Sequence, residues 1–303
     1  ENVNSSRERT GSRKKTEETM IAEANIREFY AKYRKNLDIE QRVREALFHA
    51  KDQEDLVDQF RKRAGKMRRL YIENEALLNM YVRPFLSEES RCSDALAAAF
   101  LDEIRICEKG GYQDDLACVE VTHLLERHFR KNGDDASLIQ ALNLLGAFYN
   151  RLESWEAGKK SADYFKQIRT FGPRYTEFED WETRSRILYS YYNYAAVLGN
   201  WRRVEDSVLL MALDEALAFY RDETVRSLDG ERCDLDELVE ELCHDVLGNR
   251  VCSMEKETAD PAFLTRAGEV LNRLYEESLA QNPNPYEMKD EIFCNVLRCR
   301  YLS

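Results

Sequence analysis

The chain has 303 residues, 43% apolar and 34% charged, with 12 Gly and 5 Pro, where average usage gives roughly 21 and 15. So few turn formers exclude a sandwich or barrel of many short strands. The longest apolar runs, Ala95 to Leu101 and Val208 to Leu213, fall far short of the roughly 20 residues of a membrane span, so a soluble, all-α chain is expected. The formal charge of −12 divides into +4 over residues 1–86 and −16 over the rest, which leaves only the first third able to attract nucleic acid or an anionic membrane at long range.

Residues 1–16 are polar and basic, lack the apolar core of a signal peptide and read as a disordered arm, with Met20 a candidate native start. Helices are expected at 17–34, 39–50 and 53–81, with Asp38 and Asp52 as caps and Pro84 as the exit. A 4-3 apolar spacing runs from Ala46 through Val57, Phe60, Ala64, Met67 and Tyr71 to Tyr81, as in a helical hairpin with a seam. Residues 17–86 are therefore read as an N-terminal cap or a dimerising hairpin. Within it Arg61, Lys62, Arg63, Lys66, Arg68 and Arg69 give +6 without an acid among them. One reading is a phosphate-contacting helix for nucleic acid or anionic lipid. The other, favoured by Asp52, Glu54, Asp55 and Asp58 just before and Glu73 and Glu75 just after, is a solvated helix paired with its own acids.

Beyond Pro84 apolar residues keep helical spacing over 89–109, 113–131, 136–151, 155–170, 178–198, 201–227, 235–248, 261–280 and 286–301. Asn132-Gly133, Gly172-Pro173, Gly199-Asn200 and Gly248-Asn249 punctuate the run, and Asp135 and Asp260-Pro261 open new helices. Short connections imply antiparallel neighbours. The final helix still shows an apolar face at Ile292, Phe293, Val296, Leu297 and Tyr301 where an array would close with a polar cap, so the chain is expected to continue.

An aromatic follows the first helix of each pair, at Tyr112, Trp155 and Trp201, at intervals of 43 and 46 residues. The middle pair carries Leu142, Leu145, Gly146 and Tyr149 on its first helix and Gly158, Ala162 and Phe165 on its second. Small residues at 146 and 158 would let two backbones approach, with Leu145, Tyr149 and Phe165 filling the space around the crossing. The next pair keeps Leu188, Tyr191 and Ala195, with Tyr192 and Val204 at small positions, and the pair around Tyr112 has Glu103 and Asp115 there. This combination resembles the tetratricopeptide repeat over residues 101–221, with another α-helical repeat as the near alternative. The resemblance implies an α-solenoid of stacked antiparallel hairpins over 87–303. It also implies a concave groove lined by the first helices, and residue by residue those positions are Asn143, Asn150, Arg151, Arg186, Tyr189 and Asn193.

Enzyme signatures are sparse. The chain has no G-x-G, no G-x-S-x-G and no H-E-x-x-H. Two Glu-x-x-His pairs, Glu120 with His123 and Glu241 with His244, have the spacing of di-iron bundles. With 57 acids in the chain, chance supplies such pairs, and no metal or cofactor is assigned. Eight cysteines without a C-x-x-C pair read as buried thiols of a reducing cytoplasm. The leading expectation is a cytoplasmic, non-catalytic scaffold that binds a protein or peptide in its groove. The alternatives are the regulatory region of a longer bacterial signalling enzyme and a nucleic-acid-binding regulator acting through residues 61–69.

Overall fold

The computed structural model describes residues 4–83, 92–109, 116–152, 154–201, 203–255, 260–281 and 289–302, and all secondary structure among them is helical. No described helix is long and apolar enough to cross a membrane. The helices are α1 (Asn4–Phe48), α2 (Gln53–Tyr81), α3 (Asp94–Lys109), α4 (Leu116–Asn132), α5 (Asp135–Arg151), α6 (Trp155–Arg169) and α7 (Trp181–Gly199). They continue as α8 (Asp206–Tyr220), α9 (Glu223–Asp229), α10 (Leu235–Cys243), α11 (Asn249–Cys252), α12 (Pro261–Gln281) and α13 (Lys289–Leu302). A 3-10 segment, Gly172–Glu177, precedes α7, and one π-helical turn, His244–Gly248, joins α10 to α11.

The chain divides into two compact units, Glu1–Ala141 and Leu142–Ser303. In the first, α1 is one helix where the sequence suggested a disordered arm to residue 16 and a break near Asp38. Between Gly11 and Phe48 there is neither Gly nor Pro. The buried stripe of Phe29, Tyr30, Tyr33, Leu37 and Val43 runs straight past Asp38, so apolar burial outweighs the fraction of a kcal/mol that Asp costs inside a helix.

The division at 141 also differs from the boundary expected at 86, because α3 packs on α1. Tyr30 meets Phe100 edge-on at 6.5 Å, and Arg34 Nη2 donates to Glu103 Oε2 at 2.9 Å. Glu103, out of place in a tetratricopeptide pattern, is thus a buried acid held by a cation of α1. Arg83 reaches Glu75 at 2.8 Å and Glu120 at 3.2 Å, which engages the carboxylate of one Glu-x-x-His pair. Gly133, at φ +71°, ends α4, and the Asp134 amide donates back to the Phe129 carbonyl at 3.1 Å, the left-handed helix stop for which glycine is suited.

In the second unit, Gly146 lies under the Phe165 ring, where an added Cβ would stand 2.8 Å from ring carbon, and Ser161 Oγ donates to the Gly146 carbonyl at 2.8 Å. This is the close crossing expected there. Gly158 does a different job: the Trp201 indole occupies the space a side chain would take. Trp155 and Trp201, read from the sequence as markers of separate repeats, meet edge-on at 5.8 Å.

Helix starts carry side-chain oxygen caps that the sequence reading did not single out. Ser154 accepts from the Ala157 amide, Asp180 from Thr183, Asp222 from Thr224 and Asp234 from Glu237. Asp222 opens α9, which is why the helix expected over 201–227 is two helices.

Two buried arginines tie these segments together. Arg184 grips Asp229 with Nε at 2.7 Å and Nη2 at 2.9 Å, and its Nη1 donates to the carbonyls of Phe178 and Glu179. Tyr175 Oη donates to the same carboxylate at 2.8 Å. Burial alone would raise the Asp229 carboxyl, but the hydrogen bonds from Arg184 and Tyr175 and the Arg184 charge outweigh it and hold the group below its ordinary range. Arg250 binds Asp206 and the carbonyls of Trp201 and Val204, fixing the chain that leads into α8.

Candidate functional site

A cavity of about 890 Å³ lies among α6, the 3-10 segment, α7 and α8. Each wall follows from local sequence. The last turn of α6 supplies Lys166 and Arg169, three apart and therefore on one face. Gly172 and Pro173 then turn the chain sharply, and the Tyr191 hydroxyl fills the space above Gly172, which excludes a side chain there. Tyr191 and Tyr194 come from α7, and Met211, Glu215 and Phe219 recur at helical spacing on α8.

At the centre sits Arg169, whose side chain is only 10% exposed. Its guanidinium lies 4.9 Å from the Tyr191 ring centre and 4.4 Å from that of Tyr194, and it pairs with Glu215. Cation–π attraction of this kind strengthens as the site is desolvated. Tyr191 in turn stacks on Phe219 at 4.1 Å. Burial lowers the Arg169 pKa, with the surrounding tyrosines acting against that shift, and burial raises Tyr191.

Arg169 Nε is buried and has no acceptor. Such a donor normally finds a partner, since leaving it unmade costs about 1–3 kcal/mol. The lining residues include no histidine or cysteine among those described, so the chemistry offered is recognition of a negative or carbonyl group beside apolar surface.

The six positions implied by the tetratricopeptide likeness lie elsewhere. Asn143 is buried, Asn150 and Arg151 are exposed at the end of α5, and α7 carries Arg186, Tyr189 and Asn193 on one face. Tyr189 Oη lies 3.8 Å from Cys233 Sγ. None of the six lines the 890 Å³ cavity. Tyr191 and Tyr194 of α7, neither among the six, are half-buried walls of the site. Arg169 carried no signal of its own, since its environment is made by residues 22 to 50 positions later.

The basic run of α2 is dispersed by the helix itself. At 100° per residue Arg61 and Arg68 project to one side and Lys62, Lys66 and Arg69 to the other. Arg63 bonds Gln59, and Lys62 pairs with Asp58 at 2.5 Å. Lys66 and Arg69 border a second groove of about 660 Å³ with Lys32, Lys35 and an apolar floor that includes Leu70 and Leu77. The six charges thus face different directions around α2. Among the described residues no group of three or more His, Cys, Asp or Glu side chains is placed to hold a metal ion. Comparison with protein-family models, curated proteins and solved structures gave no match for this chain.

Proposed function

We propose that the chain is a non-catalytic interaction protein of the cytoplasm whose second unit holds a segment of a partner protein in the Arg169 cavity. In this reading its helices are tetratricopeptide-like hairpins stacked as an α-solenoid. The close crossing at Gly146 and the antiparallel succession of α6, α7 and α8 support that arrangement. One observation carries the binding function: a guanidinium set between two tyrosines forms part of the wall of a cavity of about 890 Å³. The ligand that fits is an extended peptide presenting a carboxylate, from an acidic side chain or a chain terminus, next to an apolar or aromatic side chain. Tyrosine walls supply contact area at small entropic cost, and Lys166 adds a second cation at the rim.

The test is selection from a random displayed peptide library against the full chain, followed by affinity measurement on the variants Lys166→Glu and Met211→Glu. Both positions are exposed and border the cavity, so folding is spared. Selected peptides should pair an acid with an aromatic or apolar residue and bind each variant about 10-fold or more weakly, a difference of roughly 1.4 kcal/mol. Selected peptides that bind both variants as tightly as the native chain would refute the site.

A further inference from the structure

The register of the α1–α2 hairpin leaves part of α2 without a partner among the described residues. Asn36 Nδ2 donates to Asn74 Oδ1 at 2.9 Å, and Phe29 lies 5.8 Å from Tyr81, so seven steps back along α1 match seven steps forward along α2. Carried to the other end, this register sets Phe48, where α1 stops, level with residue 62. Residues 53–61, about 14 Å of helix, then project beyond α1.

Burial follows that division. Leu70 and Leu78 are covered, while Val57 is 44% exposed, Phe60 59% and Tyr71 67%. Gln53, Val57, Phe60, Ala64 and Tyr71 line one side of α2, the stripe that Leu78 continues where α1 covers it, with Leu70 about a quarter-turn away. Four-three spacing of this kind on an open face is the seam of a helix pair.

The charges of α2 select the partner. Glu54, Asp55 and Asp58 occupy its first two turns, and Lys66, Arg68 and Arg69 follow about three turns later. Among the described residues Lys66 and Arg68 make no ion pair. We propose that α2 pairs antiparallel with α2 of a second copy of this chain, the two-fold axis passing between Phe60 and Ala64. That register sets Phe60 of each copy against Ala64 of the other, a large side chain against a small one, with Val57 against Met67 and Gln53 against Tyr71. It lays the acidic first turns of each helix along the basic stretch of the other. A parallel pair would set the basic stretch 61–69 level with the same stretch of the other copy, like charge beside like charge. The contact is isologous and closes at two copies.

Sedimentation equilibrium of the full chain tests this. The native chain is expected at twice 35.6 kDa, and the double variant Val57→Glu, Phe60→Glu at 35.6 kDa with unchanged helical circular dichroism. Glu54→Lys with Asp58→Lys should weaken the dimer about 10-fold, and adding Lys66→Glu with Arg68→Glu should restore it. A native chain that stays at single-copy mass up to about 100 µM overturns the proposal, as does a double glutamate variant that remains dimeric. Charge reversal that weakens the dimer without being rescued overturns the antiparallel register.

Discussion

Helices α2 and α7 fold for opposite reasons. Over 29 residues α2 buries Leu70 and Leu78, whereas α7 buries eight side chains in 19 residues, between α6 and α8. One is supported along one stripe and the other on two sides. The lesson is that apolar spacing specifies which face of a helix wants a neighbour without saying whether that neighbour lies in the same chain. In α7 the demand is met internally, down to Arg184 and Ser190, which are buried polar groups with partners. In α2 it is met over the C-terminal half alone.

The sharpest way to break the comparison is to unstitch α7. Arg184→Ala leaves the Asp229 carboxylate buried at 0% exposure with Tyr175 as its remaining side-chain donor. Removing one member of a buried ion pair costs about 3–5 kcal/mol, so thermal unfolding of this variant should show the largest fall in Tm. Ile187→Ala on the same helix, at a position with no exposure, should cost about 2–5 kcal/mol in urea unfolding. Gly146→Ala comes next. Its Cβ would stand 2.8 Å from the Phe165 ring, and overpacking a core typically costs about 1–3 kcal/mol. If Gly146→Ala unfolds like the native chain, the close crossing is not a constraint on the second unit.

Acid should act on the same unit through Asp229. Its folded pKa lies below the unfolded value of about 3.9, so its contribution is fully present above that value and is lost as pH falls through the folded one. Asp229→Asn should be less stable at neutral pH, and its Tm should fall less than that of the native chain as pH drops below about 4. Parallel Tm curves over that range would remove Asp229 from the acid response.

Much of the helix pattern was legible because its signals are local. The cap at Asp52, the helix opened by Asp260 and Pro261, the stop at Gly133 and the small residue at Gly146 each act within a few residues or one helix pair. The failures are non-local. Gly158 looked like a helix-crossing residue and is small for Trp201, which arrives 43 residues later and meets Trp155 edge-on. Glu103 looked like a defect in a repeat and is the partner of Arg34, 69 residues earlier. The site shows the same division. Arg169 becomes distinctive only once Tyr191 and Tyr194 of α7 and Glu215 of α8 close over it, which no spacing within α6 can announce.

The smallest expected effect sharpens the contrast most directly, because it repeats one substitution on the other helix. Ile72 on α2 is 56% exposed, and Ile187 on α7 is not exposed at all. Ile72→Ala removes the same methyl groups as Ile187→Ala and slightly improves helix propensity. It leaves no cavity, because the atoms removed had water on one side. Unfolding free energy should therefore move by no more than about 0.5 kcal/mol, against about 2–5 kcal/mol for its counterpart. Ile72 stands off the line of Val57, Phe60 and Ala64, so the self-association proposed for α2 should survive the change. A loss of stability comparable to that of Ile187→Ala would mean that the outer face of α2 is covered in solution, and the contrast between the two helices would have to be redrawn around whatever covers it.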